Sequence, residues 1–338
     1  MSKHYHGVLW IGFGSFAKRL LPYVEEYPGV RIKTYFHPDR EEAIKRFGSK
    51  ASWDIDEAMA DPEITTVFIT TPNDLHSEFI KSALLARKHV FVEKPITAFY
   101  REAVQLLPTI RASKSVLAVG HHMRREATIR KAKDIISEGG IGRIVSVYAN
   151  HSTGFAFNMD KTNWRFFSSR HREGPLLTVG VHLVEVLHYL LGLVDSVSAV
   201  IKNRSLRTDA PDSNAVLLSF KGGASAFLES NYSVLSESMF HIHGTEGTIY
   251  IDRGQLRLRV GRDVDRIPTV PCLIPLNPVN PFKEEIDEFF DVIEAKKSTP
   301  ETGYQEAVNA LAVIEACYRS SLKEKIVSMK SFRGYYSK

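Results

Sequence analysis

Across residues 1–121, short β-branched or aromatic runs alternate with segments of helical apolar spacing, and this alternation leaves few folds open. The runs are Val8–Ile11, Val30–Phe36, Thr66–Thr70, Val90–Val92 and Val116–Val119; between them lie Phe16–Tyr27, Arg40–Phe47, Leu75–Ala86 and Ala98–Arg111. Strand then helix, repeated, predicts a parallel sheet with helices on both faces. The strands are nearly unbroken apolar runs, as expected when both faces of a sheet are covered. The turn joining the first strand to the first helix reads Gly12-Phe13-Gly14-Ser15-Phe16-Ala17. In that place a first glycine permits a tight turn, a second lets the backbone approach a pyrophosphate, and Ala17 allows close helix–strand packing. The helix N-terminus then offers free N–H groups and a positive dipole to phosphates. Elsewhere the motif would be a packing turn; here it reads as a dinucleotide site, with Gly12, Phe13, Gly14, Ser15 and Phe16 against the cofactor.

The end of the second strand should carry the ribose reader. It reads Tyr35-Phe36-His37-Pro38-Asp39-Arg40. An acid there would bind a 2′-hydroxyl and favour NAD. His37 with Arg40 would cradle a 2′-phosphate, so NADP is the favoured cofactor; Asp39 as ribose ligand, with NAD, is the alternative.

After Gly120 the character changes. A basic helix, Arg124–Glu138, stops at Gly139-Gly140, and a strand follows over Arg143–His151. Thr153–Arg172 is aromatic and irregular, a lid in appearance. A strongly apolar helix runs from Pro175 to Leu191. Six strand-like runs then follow between Ser196 and Val260 with no helices among them, which predicts an antiparallel sheet. Two helices, Pro281–Lys297 and Tyr304–Lys323, close the chain. The expected division is therefore a dinucleotide-binding domain over 1–121 and a substrate-binding and oligomerisation domain over 122–338. If Ala199, Ile201, Val216, Leu218, Ala226 and Leu228 point outward, the second sheet has an apolar outer face, and a homodimer or homotetramer is expected.

The 338 residues, 43% of them hydrophobic, suit two domains of about 150 residues each and exclude disorder as the main state. No apolar run reads as the ~20 residues that span a bilayer, and the opening residues do not read as a signal peptide, so no membrane partner is expected. The 44 Lys+Arg against 39 Asp+Glu are scattered, and no nucleic-acid footprint emerges. Cys272 and Cys317 form no paired motif, which fits a reducing, cytoplasmic setting. His121-His122 and His241-x-His243 lack a completing Cys or acid, so no metal is expected.

Two further segments lie where ligands of parallel α/β sheets bind, at the carboxyl ends of strands. One is Thr70-Thr71-Pro72-Asn73-Asp74-Leu75-His76; the other is Lys88-His89-Val90-Phe91-Val92-Glu93-Lys94-Pro95. With Gly120-His121-His122-Met123-Arg124-Arg125, Gly140-Ile141-Gly142-Arg143-Ile144, Trp164-Arg165 and Gly174–His182, they resemble the glucose-fructose oxidoreductase/inositol dehydrogenase (Gfo/Idh/MocA) family, from Val8 to about Arg319. The resemblance implies a Rossmann domain followed by an α/β domain with an open, mainly antiparallel sheet. It implies hydride transfer between nicotinamide and a sugar, sugar derivative or polyol. It carries the family's lysine to Lys94 and its histidine to His182, and implies a cis Lys94–Pro95 bond. Thr71, Pro72, Asn73, His76, Glu93 and Lys94 then join the cofactor-binding residues. His122, Arg124, Trp164, Arg165, Thr178 and His182 become the substrate residues. Two departures stand out: Thr178 occupies a position where many members carry aspartate, and Glu185 another.

Oxidising an alcohol removes a hydride from carbon and a proton from oxygen, and some group must hold that proton. Lys94 suits this if desolvated beside a positive nicotinamide ring, since both effects lower an ammonium pKa. Thr178, His182 and Glu185 share a helix face by spacing, so Thr178 or Glu185 would fix the His182 tautomer. The bland readings are a surface lysine and a satisfied core histidine. A non-catalytic dinucleotide-binding sensor on the same fold is the alternative to an enzyme.

Overall fold

The computed structural model describes residues 5–206, 208–261, 270–332 and 334–335, and divides into two compact units. The first comprises residues 1–122 and 280–308, the second 123–279 and 309–338.

The first unit is built on six strands: β1 (His6–Ile11), β2 (Val30–Phe36), β3 (Ala51–Ser52), β4 (Ile64–Ile69), β5 (His89–Glu93) and β6 (Leu117–Gly120). All pair in parallel, in the order β3-β2-β1-β4-β5-β6. Helices α1 (Ser15–Glu26), α2 (Arg40–Phe47), α3 (Ile55–Ala60), α4 (His76–Leu85) and α5 (Tyr100–Ala112) connect them. The order reverses at β1 and β4, and the loops leaving those strands flank the crevice where dinucleotides sit in such sheets. α1 forms because Ala17, Leu20 and Val24 recur at helical spacing and are buried. α2 starts where Asp39 Oδ1 accepts the Glu42 N–H at 2.8 Å, with Glu41 and Glu42 in the first turn and Lys45 and Arg46 in the last.

The sequence reading places 280–308 in the second domain. The structure instead packs the helix Pro281–Ile293 on the first unit. Ile286, Phe289 and Phe290 join Trp10, Phe68, Phe91 and Leu20 in one core, with Phe68 stacked on Trp10 at 4.9 Å and on Phe91 at 5.1 Å. The Tyr27 hydroxyl donates to Asp291 at 2.8 Å on the rim of that core. An amphipathic helix announces that it needs a partner, but its pattern does not say which.

Among the described residues the second unit carries a nine-stranded sheet. Chain order runs α6 (Ala127–Ser137), β7 (Ile144–Ser152), the one-turn α7 (Ser168–His171), α8 (Val181–Leu191), β8 (Val194–Lys202), β9 (Ser213–Phe220), β10 (Ser225–Asn231), β11 (Glu237–Gly244), β12 (Gly247–Asp252), β13 (Gln255–Val260) and β14 (Cys272–Leu273). The helix already described is α9; α10 (Tyr304–Lys323) and β15 (Val327–Ser328) follow. The strand order is β14-β13-β12-β11-β7-β10-β9-β8-β15. Every pair is antiparallel except β7 with β10, so the sheet is mixed rather than uniformly antiparallel. Gly222-Gly223 and Gly244–Gly247 mark the hairpins they were expected to mark.

Two expectations fail by phase. Ala199, Ile201, Val216, Leu218, Ala226 and Leu228 point inward and are buried. The outer face instead shows Val200, Leu217 and Phe227, exposed by 50, 50 and 40%. In register with Leu217 and Phe227 stand Tyr148, His241 and Tyr250. Since strand side chains alternate, assigning a face one residue off inverts every position. The helix expected over Pro175–Leu191 begins with a π-wound turn, Leu176–Gly180, before α8. Gly180 lies so close to β10 that a Cβ would stand 2.7 Å from Ser230 Oγ. Ser168–Leu191 is long and apolar enough to cross a membrane, but 83% of its most apolar window is buried, as in the core helix of a globular unit.

Candidate functional site

In the first unit the predicted cofactor residues converge on the carboxyl edge of the sheet. Gly12 has φ +84°, and a Cβ there would stand 2.7 Å from the Thr71 backbone, so only glycine fits. Thr70 locks the turn: its hydroxyl accepts from Trp10 Nε1 at 2.9 Å and donates to the Gly12 carbonyl. Gly14 caps α1 without a side-chain bond, and a Cβ placed on it meets nothing within 4 Å. Open space thus faces the free N–H groups of a twelve-residue helix with no acid in its first turn. Phe13 packs edge-on to Tyr35 at 5.0 Å, and Phe16 lies 6.2 Å from the His122 ring, which itself rests on Phe282 at 4.3 Å. His122 therefore sits in an aromatic cluster of the first unit.

The β4 exit brings two buried, unbonded polar atoms to the same edge, Thr71 Oγ1 and Asn73 Nδ2, beside Pro72. A dinucleotide's ribose and phosphate oxygens are acceptors of the kind these donors lack, so the residues present fit such a group. His76 corrects the reading. It is fully buried, its Nδ1 lies 2.8 Å from the Pro95 carbonyl and its Nε2 3.0 Å from the Thr71 carbonyl. It ties two loops together rather than touching a cofactor. Burial pushes its pKa down, more than those carbonyls pull it up.

β5 delivers Glu93 and Lys94, and the Lys94–Pro95 bond is cis as expected. Glu93 is buried; its Oε2 accepts the Lys94 N–H at 3.2 Å and its Oε1 is unbonded. Burial raises its pKa to about 8, against the pull of Lys94 and Arg19. Gly120 makes room for it, since a Cβ there would come within 2.8 Å of Oε1. At the β2 end the Asp39 side chain is occupied as the cap of α2. His37 Nδ1 accepts the Asp39 N–H at 3.1 Å, and the Arg40 guanidinium lies 4.5 Å above the Trp53 ring.

In the second unit His182 is buried on α8, with the His151 ring perpendicular at 6.4 Å, a neighbour no sequence pattern indicated. The residues expected to fix its tautomer each have a further partner. The Thr178 hydroxyl bonds the Tyr232 hydroxyl, and Glu185 Oε1 accepts from Arg124 Nη2. Arg124 also lies 4.8 Å above the Tyr189 ring, so it knits α8 to the preceding segment rather than lining an open pocket. Trp164 carries the Arg165 guanidinium at 4.3 Å and meets the His171 ring edge-on at 5.4 Å. Tyr232 and His171 are site neighbours that the sequence reading missed. Both belong to aromatic-rich stretches that look like ordinary core.

Comparison with known proteins shows the family and the fold. The NAD-binding Rossmann-fold profile of the GFO/IDH/MocA oxidoreductases matches residues 6–121, and the profile of their C-terminal domain matches 129–250. A 1,5-anhydro-D-fructose reductase from Ensifer adhaerens is 28% identical over 274 residues, covering 79% of this chain and 81% of that protein. The solved structure of a putative NADPH-dependent oxidoreductase from Desulfitobacterium hafniense superposes with TM-score 0.87 at 25% identity, over 96% of this chain and 98% of that one. Levoglucosan dehydrogenase in complex with NADH gives 0.85 at 25% identity, over 97% and 100%.

Proposed function

The chain belongs to the GFO/IDH/MocA family of oxidoreductases, and on that premise we propose that it interconverts an alcohol and a carbonyl on a sugar, sugar derivative or polyol with a nicotinamide dinucleotide. The observation that carries this reading is the open space at Gly14, facing the uncapped start of α1, on the same sheet edge as Glu93 and Lys94. Bound there, the dinucleotide supplies or takes up the hydride. Lys94 and His182 handle the proton of the substrate hydroxyl. The named activities of the relatives on anhydrofructose and levoglucosan support a carbohydrate substrate.

The cofactor we favour is NADP. Asp39 caps α2, leaving His37 and Arg40 as the groups at the β2 end, and their chemistry suits a 2′-phosphate. Thermal-shift titration with NADPH and NADH in parallel tests this, because a ligand of the folded state raises its apparent stability. Tighter NADPH binding that Arg40→Ala weakens is expected; tighter NADH binding would refute the role of His37 and Arg40. Turnover is then screened with 1,5-anhydro-D-fructose and levoglucosan. We further propose a homodimer or homotetramer joined through the outer face around Leu217 and Phe227, and a cytoplasmic location, which recovery in a membrane or secreted fraction would contradict.

A further inference from the structure

One buried group of the second unit has no part in the proton handling proposed above. His171 ends the one-turn helix α7 at the foot of the 153–172 segment. It is 0% exposed, and neither of its ring nitrogens makes a hydrogen bond. Trp164 meets it edge-on at 5.4 Å; Tyr232 lies nearly parallel to it at 6.1 Å. The Tyr232 hydroxyl bonds Thr178, one turn ahead of His182, and also engages Arg165. A buried polar group without a partner is costly and calls for a partner that arrives later.

We propose that His171 is a specificity-determining residue that receives a hydroxyl of a neutral carbohydrate, between Trp164 and Tyr232. This rests on the carbohydrate oxidoreductase reading above and narrows it to uncharged substrates. A neutral imidazole offers one N–H donor and one bare nitrogen, the complement of a hydroxyl, which also donates once and accepts. Burial and the neighbouring Arg165 hold the ring neutral, with its pKa near 3, so it presents no cation to a carboxylate. Of the two nearby cations, Arg165 is engaged by the Trp164 face and the Tyr232 hydroxyl, and Arg170 lies over the same Trp164 ring at 5.9 Å. The aromatic walls suit the apolar face of a sugar ring. Access requires the Trp164 side of the segment to lift. Its elements are single turns, Phe155–Asn158, Trp164–Phe166 and Ser168–His171; the bonds that hold the segment include Thr153 N–H to the Asn231 carbonyl at 2.8 Å, Ala210 N–H to the Phe166 carbonyl at 3.0 Å, Ser168 to Asp209, and the Arg172 ion pairs with Glu173 and Glu315 at its far end.

The test measures sugar binding to the NADPH-saturated protein by calorimetry, with 1,5-anhydro-D-fructose and D-glucuronate as probes, for wild type, His171→Phe and His171→Asn. Phe keeps the ring stack and removes both nitrogens. Its Kd for anhydrofructose is expected to rise about tenfold or more, as for other lost polar contacts to a substrate hydroxyl. NADPH affinity should not change, and Tm should hold or rise because an unbonded polar group is gone. His171→Asn, which keeps a donor and an acceptor, should lie between the two. Unchanged sugar affinity in His171→Phe would overturn the inference and leave the oxidoreductase reading standing. So would wild type binding glucuronate more tightly than anhydrofructose. Wild type that binds NADPH but neither probe would refute the carbohydrate reading itself, and this inference with it.

Discussion

Glu93 links the chemistry of the first unit to its stability. An unfolded chain ionises this carboxyl near 4.5, whereas the folded chain holds the proton to about 8. Between those values the folded state binds more protons at this group, so the stability that Glu93 contributes is fully present below 4.5 and is lost as pH rises toward 8, while the buried His171 and His188, held down to about 3, contribute with the opposite sign. Glu173, pushed up by burial to about 7, adds a slope of the same sign as Glu93. Glu93→Gln is expected to raise Tm relative to wild type by an amount that grows between about pH 5 and 8. Parallel Tm profiles for the two proteins would show that Glu93 is not the titrating group. Around it, Gly12, Gly14, Lys94 and Pro95 were legible in the sequence because backbone freedom and motif spacing leave marks in residue identity. His171 and Tyr232, proposed here to meet the sugar, were not, because an aromatic that lines a site and one that fills a core have the same composition. His76 was legible as important and misread in kind: its two nitrogens serve backbone carbonyls.

At the scale of elements, the turn after β1 separates two tasks. Gly12→Ala forces a side chain onto φ +84° and into the Thr71 backbone, and should cost about 1–3 kcal/mol of stability. Gly14→Ala meets no atom and has φ −89°, so the protein should keep its Tm while losing at least about tenfold in dinucleotide affinity. Calorimetric denaturation beside NADPH titration reads both. A Gly14→Ala protein with wild-type affinity would place the phosphates elsewhere. The strand–helix alternation of the first unit was legible because strands covered on both faces are apolar throughout. The two-residue strands β3, β14 and β15 carry too little pattern to see. Helix α9 was legible as a helix but not as part of the first unit. Phe289 is fully buried there, so Phe289→Ala should cost about 3–5 kcal/mol, measured by urea denaturation. A loss below 1 kcal/mol, the range of surface changes, would mean the helix contributes little to that core.

At the scale of the molecule, the first unit is completed by a segment more than 150 residues downstream of its last strand. A fragment ending at residue 122 lacks Ile286, Phe289 and Phe290 and should show no cooperative unfolding. The second unit presents a sheet face with Leu217 and Phe227 beside Tyr148, while His241 and Arg257 both pair with Asp252. Light scattering of the intact protein should give a dimer or tetramer, and Phe227→Lys should shift it toward monomer; a wild-type monomer at micromolar concentration would contradict the association. The sequence predicted association but on the wrong six residues, because alternation specifies two faces without saying which is covered.

We propose an enzyme whose proton chemistry runs through Lys94, rather than a sensor that binds the same cofactor. The measurement that tests it most directly is the oxidation of NADPH with 1,5-anhydro-D-fructose by wild type and Lys94→Ala, alongside the NADPH affinity of each. Turnover in wild type, a fall of roughly 10²–10⁴-fold in kcat for the variant, and NADPH affinity within a few-fold of wild type are expected. Full turnover by a Lys94→Ala protein that binds NADPH normally would contradict it.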